Sequence, residues 1–266
     1  MREFFAMLFS ENTTSGTITP YSIWHFVYLF VIFGTAILLT FLLKNKSQIA
    51  KDRTLKIFAY LTIGLYIADF FIMPLCDSYG YEISAWKLPF NICTLMAIMV
   101  PFVQFNPKFK KIKAPVIVLS IASSLMWMIV PASALGGQPP LSYVVFQTFM
   151  YHGFLFCWGF LSLTLGENKL HIKHCWKEFV GILIIFLIAL FGNTVYPQDY
   201  NWFFIRGNGL IPGVNDFLMP IIVIAGVFAV CLCIYGIYYA VVGINYKIKK
   251  SKETKRLAKI NQEENK

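Results

Sequence analysis

Seven polar side chains stand inside otherwise apolar stretches of this 266-residue chain: His25, Asp69, Asn91, Cys93, Gln147, His152 and Asn193. Asn91 and Cys93 open the stretch KLPFNICTLMAIMVPFVQF, where leucine would carry no penalty. A cysteine becomes a nucleophile when a neighbouring base or cation favours its thiolate. A Cys–His pair is the minimal arrangement, with a carboxylate orienting the imidazole. Cys93, His152 and Asp69 are the residues that can fill those three roles. Taken singly, each has a plainer reading. A lone buried cysteine behaves as a small hydrophobe, and a lone histidine within a span often serves as an interhelical hydrogen-bond partner.

The elements that must position these groups are membrane helices. The chain is 58% hydrophobic and 14% charged, where soluble proteins are about a quarter charged. Apolar runs of about 18 or more residues mark membrane spans. Seven such cores occur, at 22–43, 56–76, 88–105, 114–135, 146–165, 179–196 and 217–246. The expected fold is therefore all-α, one seven-helix transmembrane domain over 1–246 followed by a charged tail over 247–266. The opening MREFFAMLF is too short for a signal-peptide core and suits the membrane surface.

The formal charge of +10 is unevenly spread. Five Lys/Arg lie in 44–56, four in 108–113, three in 169–177 and eight after Tyr246, so 20 of 23 share one side and only Arg2, Lys87 and Arg206 lie on the other. That is the positive-inside pattern, with the N-terminus outside and the C-terminus in the cytoplasm. Basic charge placed this way sets orientation and meets anionic lipid; it does not imply nucleic acid. The six cysteines match no metal or disulfide framework, although Cys76 and Cys93 flank a short external loop where a bridge could form in an oxidising compartment.

In this topology the polar residues share a depth. His25, Asp69, Asn91, Cys93, Gln147, His152 and Asn193 fall in the outer half of five different spans, and nothing comparable is expected in the cytoplasmic half. At 1.5 Å per residue, Cys93 and His152 lie roughly 8 and 9 Å below their helix starts, the level of phospholipid ester carbonyls. Asn91 and Cys93 are about 200° apart around a helix, so Cys93 is favoured as the residue facing a pocket. Acyl transfer through a thioester is the reaction that depth and residue types jointly suggest, with Asp69, His25, Asn91 and Asn193 in support. The last external loop, PQDYNWFFIRGNGLIPGVND, reads as an interfacial cover; its Asn201, Trp202 and Arg206, together with Gln147, are the candidate substrate contacts. As the loop's only cation, Arg206 suits a lipid phosphate. Three other readings of the polar cluster stay open: a transporter or channel site, a seven-helix receptor, and a hydrolase with water as acceptor. No zinc-protease or phosphate-loop motif occurs, so neither metal nor cofactor is implied.

With these residues in hand, the sequence resembles the YwaF-type bacterial membrane proteins and the animal transmembrane protein 164 family. The resemblance rests on SIWHF in the first span, LPFNICTL in the third, YHG in the fifth, and GNTVYPQDYNWFFI followed by Pro212 after the sixth. It implies a polytopic cell-membrane acyltransferase that moves fatty acyl groups between phospholipids, with Cys93 and His152 as its working pair. Many bacterial relatives carry histidine at the position of Asn91 and an acidic residue after the cysteine, where this chain has Thr94.

Overall fold

The apolar runs fold as helices because a backbone in lipid must satisfy its hydrogen bonds internally. The computed structural model describes all residues except 12–16, 130–137, 167, 197–199, 207–210, 212 and 265–266, and from residue 245 onward only the backbone. Pro212 and the far end of the fourth predicted span therefore lie outside the described residues. A short helix α1 (Arg2–Leu8) precedes α2 (Ile23–Leu43), α3 (Gln48–Ile72), α4 (Ile92–Phe105), α5 (Lys113–Ile129), α6 (Tyr143–Thr164), α7 (Trp176–Val195) and α8 (Leu218–Glu264). The fold is all-α among the described residues. Six helices are long and apolar enough to cross a membrane, and α4 is a shorter apolar helix in the seventh place.

Helix α6 forms the centre, packed against α5, α3 and α2. Its Phe149, Leu155 and Trp158 are fully buried. Gly153 permits the approach of α2, since a Cβ there would stand 2.8 Å from Cγ1 of Ile32.

Side-chain contacts distinguish the two ends of the bundle. At one end Thr40 meets Thr164, Gln104 meets Asp52, and the Tyr239 hydroxyl donates to Leu170 O while accepting from Ile172 N. This is the basic end, where the lysine-rich connections lie. The expectation that its half of the bundle would be free of buried polar groups is corrected. Glu178 is fully buried and accepts from the Tyr235 hydroxyl at 2.9 Å. The Gln104 side chain bridges Asp52 and the Trp158 indole at 3.0 and 3.1 Å. Helix α7 begins at Trp176, ahead of its apolar core, and so draws Glu178 into the bundle, whereas Asp52, near the start of α3, stays partly exposed and pairs with Lys56 at 2.6 Å.

The third span also differs from its predicted form. Residues 88–91 are not helical, and α4 has only 14 residues, about 21 Å against a hydrocarbon core of about 30 Å. The cause is local. Pro89 disfavours a helical Leu88, and Asn91 takes the extended backbone of an N-cap, φ −103° and ψ 154°. Its N–H donates to Oγ1 of Thr94 at 3.3 Å, one half of a capping box. Cys93 is thus the second residue of α4 rather than roughly 8 Å below the helix start. The connection ahead of it folds back as three 3-10 turns, 73–75, 77–79 and 85–87.

The N-terminal segment docks on protein at the end opposite the basic loops. Phe9 meets the Tyr143 ring edge-on at 4.8 Å, and Glu11 accepts from Asp77 N at 2.8 Å and Ser78 Oγ at 2.5 Å. At the other terminus, α8 runs 47 residues without a break, so the predicted tail continues the last span as helix through Glu264.

Candidate functional site

Three groups of side chains occupy the end opposite the basic loops. The first is built on Asp69, fully buried on α3. A carboxylate placed there needs a counter-charge and filled lone pairs. Lys87 Nζ supplies the charge at 2.8 Å, the Tyr143 hydroxyl donates at 2.7 Å and Gln147 Nε2 at 2.5 Å. Lys87 also donates to Gln147 Oε1 at 2.7 Å, and its backbone carbonyl accepts from the Tyr66 hydroxyl at 2.7 Å. Burial pushes the Lys87 ammonium below its ordinary pKa, while Asp69 opposes that shift. The sequence reading placed Lys87 among the outer cations without seeing that it pairs with Asp69. The signal was available, because Lys87 closes the loop that follows the Asp69 helix.

The second group holds the Cys–His pair. His152 Nδ1 lies 2.7 Å from Thr148 O. A carbonyl only accepts, so Nδ1 carries the proton and Nε2 keeps its lone pair. The ring stacks on Trp127 at 4.3 Å and 10°. This corrects the triad expectation: the imidazole is oriented by a backbone carbonyl of its own helix and by an indole, and Asp69 is committed to Lys87, Tyr143 and Gln147. The Cys93 thiol has Ser123 as its polar side-chain neighbour, and its carbonyl accepts from the Tyr151 hydroxyl at 2.8 Å. Ser123 and Trp127 are one turn apart on α5, so the α5 neighbours of Cys93 and of His152 lie on one face of that helix. Among the described residues no hydrogen bond joins them.

His25 stands apart from that pair. It is fully buried. Nδ1 accepts from Tyr21 N at 2.9 Å, which leaves Nε2 to donate to Met128 O at 2.8 Å. It ties the start of α2 to the end of α5.

The third group is a clamp on the segment 200–206. Asn193 donates to Trp202 O at 2.9 Å and accepts from Trp202 N at 3.2 Å. Asn91 Oδ1 accepts from Phe203 N at 3.1 Å. Asn201 exchanges two bonds with the Arg206 backbone, at 3.1 and 2.9 Å, and the Arg206 guanidinium donates to Asn193 O at 2.8 Å. Phe203 and Phe204 are held at φ 59° and 50°, a left-handed conformation that costs non-glycine residues about 1–2 kcal/mol each. The asparagines offset that strain. The amide at position 91 therefore caps α4 and fastens the loop, and the Trp202 side chain is fully buried among aromatic rings. Asn91, Asn193 and Asn201 each carry a structural task that the sequence reading did not give them.

Phe90 packs on Gly192, where a Cβ would stand 2.5 Å from its Cγ. Gly192→Ala is expected to lower stability by about 1–3 kcal/mol through overpacking, measured as a fall in the thermal midpoint in detergent. An unchanged midpoint would show that Phe90 is free to move aside.

Cys76 and Cys93 are both free thiols. Cys76 packs with Met73 and Tyr143, whereas Cys93 packs beside Tyr66, Ala97 and Tyr151. Burial, then the carboxylate of Glu11, pushes the Cys76 thiol up to about 12. Cys76 is accordingly expected to resist alkylation by iodoacetamide at pH 8 in folded protein; rapid labelling would show that its packing opens.

The helices and the buried polar groups opposite the basic loops define a polytopic helical membrane protein. The TMEM164 family model matches residues 20–249, and the chain belongs to that family. No curated protein and no solved structure gives a significant match. The match spans the segments SIWHF, LPFNICTL, YHG and NWFFI. In the structure these supply the α2–α5 tie, the α4 cap with its thiol, the imidazole, and the clamped loop.

Proposed function

We propose that this protein is an integral acyltransferase of the cell membrane that moves fatty acyl chains between phospholipids through Cys93 and His152. The observation that carries the reading is the state of His152. Its Nδ1–H is fixed on Thr148 O, so the free Nε2 is a base on the α5 face that also borders Cys93. In the first step Cys93 Sγ attacks the ester carbonyl carbon of a donor phospholipid, and its proton passes to Nε2 of His152. The C–O bond breaks, the proton moves to the departing oxygen, and a lysophospholipid leaves a thioester on Cys93. An acceptor hydroxyl then gives its proton to Nε2 and attacks the thioester. The C–S bond breaks and the proton returns to Sγ. Arg206, whose guanidinium donates to Asn193 O, is the candidate contact for the donor's phosphate in this reading, while the buried Gln147 and Trp202 and the clamped Asn201 support the site from within the protein.

The positive-inside rule places the basic end in the cytoplasm and the Cys–His pair towards the outer leaflet. A reporter fused after Lys266 is expected to be active only in its cytoplasmic form, and external activity would reverse the assignment. A transport site built on Asp69 is less well supported, because Lys87, Tyr143 and Gln147 already satisfy that carboxylate. The chemistry is tested by incubating purified protein with a phospholipid bearing an alkyne-tagged acyl chain. The tag should appear on the Cys93 peptide and be released by hydroxylamine. A tag on another residue, or none, would overturn the covalent route.

A further inference from the structure

The seam between α7 and α8 carries two clefts in line, remote from Cys93 and His152. The first is an apolar groove of about 510 Å³, bordered by Phe179 and Leu183 of α7 and by Ile221, Ala225, Ala229 and Leu232 of α8. Ala225 and Ala229 are one turn apart, and their small side chains leave it open. From Ile221 to Leu232 is eleven residues, about 16 Å of helix, close to the hydrocarbon depth of one leaflet, half of about 30 Å. The second cleft, of about 300 Å³, lies two turns further towards the basic end and is lined by His171, Lys173, His174 and Tyr239. The residues 171–174 are exposed. The Tyr239 hydroxyl holds their backbone against α8 through Leu170 O and Ile172 N, both at 3.0 Å.

An open apolar groove about one leaflet long, with a basic cleft two turns beyond it on the same helix, has the shape and charge of one ligand class. We infer that the α7–α8 seam binds an anionic phospholipid, one acyl chain in the groove and the phosphate at Lys173 and His174. Several features favour this occupant over a second copy of the chain. The groove lies within the membrane belt, where lipid is the abundant partner. Its mouth is basic, so a symmetric contact would bring like charges together. Lys169 and Lys177 flank the same mouth in sequence, and each lysine near an anionic headgroup strengthens binding. The site stands independently of the acyl-transfer reading, because it uses none of the same residues and lies at the opposite end of the bundle.

The test uses the full chain in detergent, exchanged into mixed micelles with phosphatidylglycerol or phosphatidylcholine, and native mass spectrometry as the readout. Wild type should retain one phosphatidylglycerol per chain in preference to phosphatidylcholine. Lys173→Gln should weaken phosphatidylglycerol retention by about fivefold and leave phosphatidylcholine unchanged. Ala229→Leu, which fills the groove, should reduce retention of both. Equal retention of the two lipids by wild type, or undiminished phosphatidylglycerol in Lys173→Gln, would overturn the headgroup assignment. A cysteine at position 229 that cross-links two chains would assign the seam to a dimer instead. Both variants alter exposed positions, and an unchanged thermal midpoint is the folding control.

Discussion

Replacing Lys87 by methionine is expected to destabilise the protein by about 3–5 kcal/mol, the usual consequence of leaving a buried carboxylate without its counter-charge. Asp69 is fully buried, and its other donors, Tyr143 and Gln147, are neutral. The damage would extend beyond the pair. The Lys87 backbone is fastened to Tyr66, and the connection that begins there leads directly into the Asn91 cap and Cys93. Lys87→Met should therefore loosen the start of α4 and expose the Cys93 thiol to faster alkylation. Removing both charges, as Asp69→Asn with Lys87→Met, should recover a substantial part of the lost stability, because no buried charge remains unpaired. Thermal unfolding of the two single variants and the double variant gives the coupling directly. Additive losses would mean that the two charges do not share one buried site.

The second large effect concerns His152. His152→Ala is expected to lower acyl exchange by a factor of about 10²–10⁴, the usual contribution of a positioned general base, while the thermal midpoint changes little. Thr148→Val is a useful companion. It replaces the hydroxyl, which donates to Val144 O and Gln147 Oε1, with a methyl and keeps the backbone carbonyl that orients the imidazole, so activity should remain close to wild type. Trp127→Leu should be more harmful, since the indole lies flat on the imidazole at 4.3 Å. Full activity in His152→Ala would remove the base from the mechanism, whatever the state of the thiol.

These expectations rest partly on features that were visible in the residues and partly on features that were not. Helix positions were legible because lipid leaves a backbone little alternative, and α2 and α6 start and stop close to their apolar limits. The start of α4 was not. A hydrophobicity pattern runs straight through Leu88–Asn91, and only the joint effect of Pro89 and the Asn91 cap shows that the helix begins later. The spacing of polar groups marked Asp69, Cys93 and His152 as residues towards one end of their helices, yet their partners were not legible. A carboxylate in a membrane signals that some partner exists, and the choice of Lys87 depends on how three short 3-10 turns fold back over α3. The asparagines illustrate the same limit. Residue type marks Asn91, Asn193 and Asn201 as polar groups at one depth, whereas their task as backbone clamps depends on a loop conformation with two consecutive left-handed phenylalanines. Glu178 was hidden for a simpler reason: beside Lys177 at a helix start it reads as a solvated loop charge.

Whether Cys93 carries the acyl group is read out by lipid mass spectrometry. Purified wild type and Cys93→Ala are incubated with a phospholipid whose acyl chain is isotopically labelled, together with an unlabelled lysophospholipid acceptor. The account predicts transfer of the label to the acceptor by wild type, and none above background by Cys93→Ala at an unchanged thermal midpoint. Transfer by Cys93→Ala at the wild-type rate would contradict it.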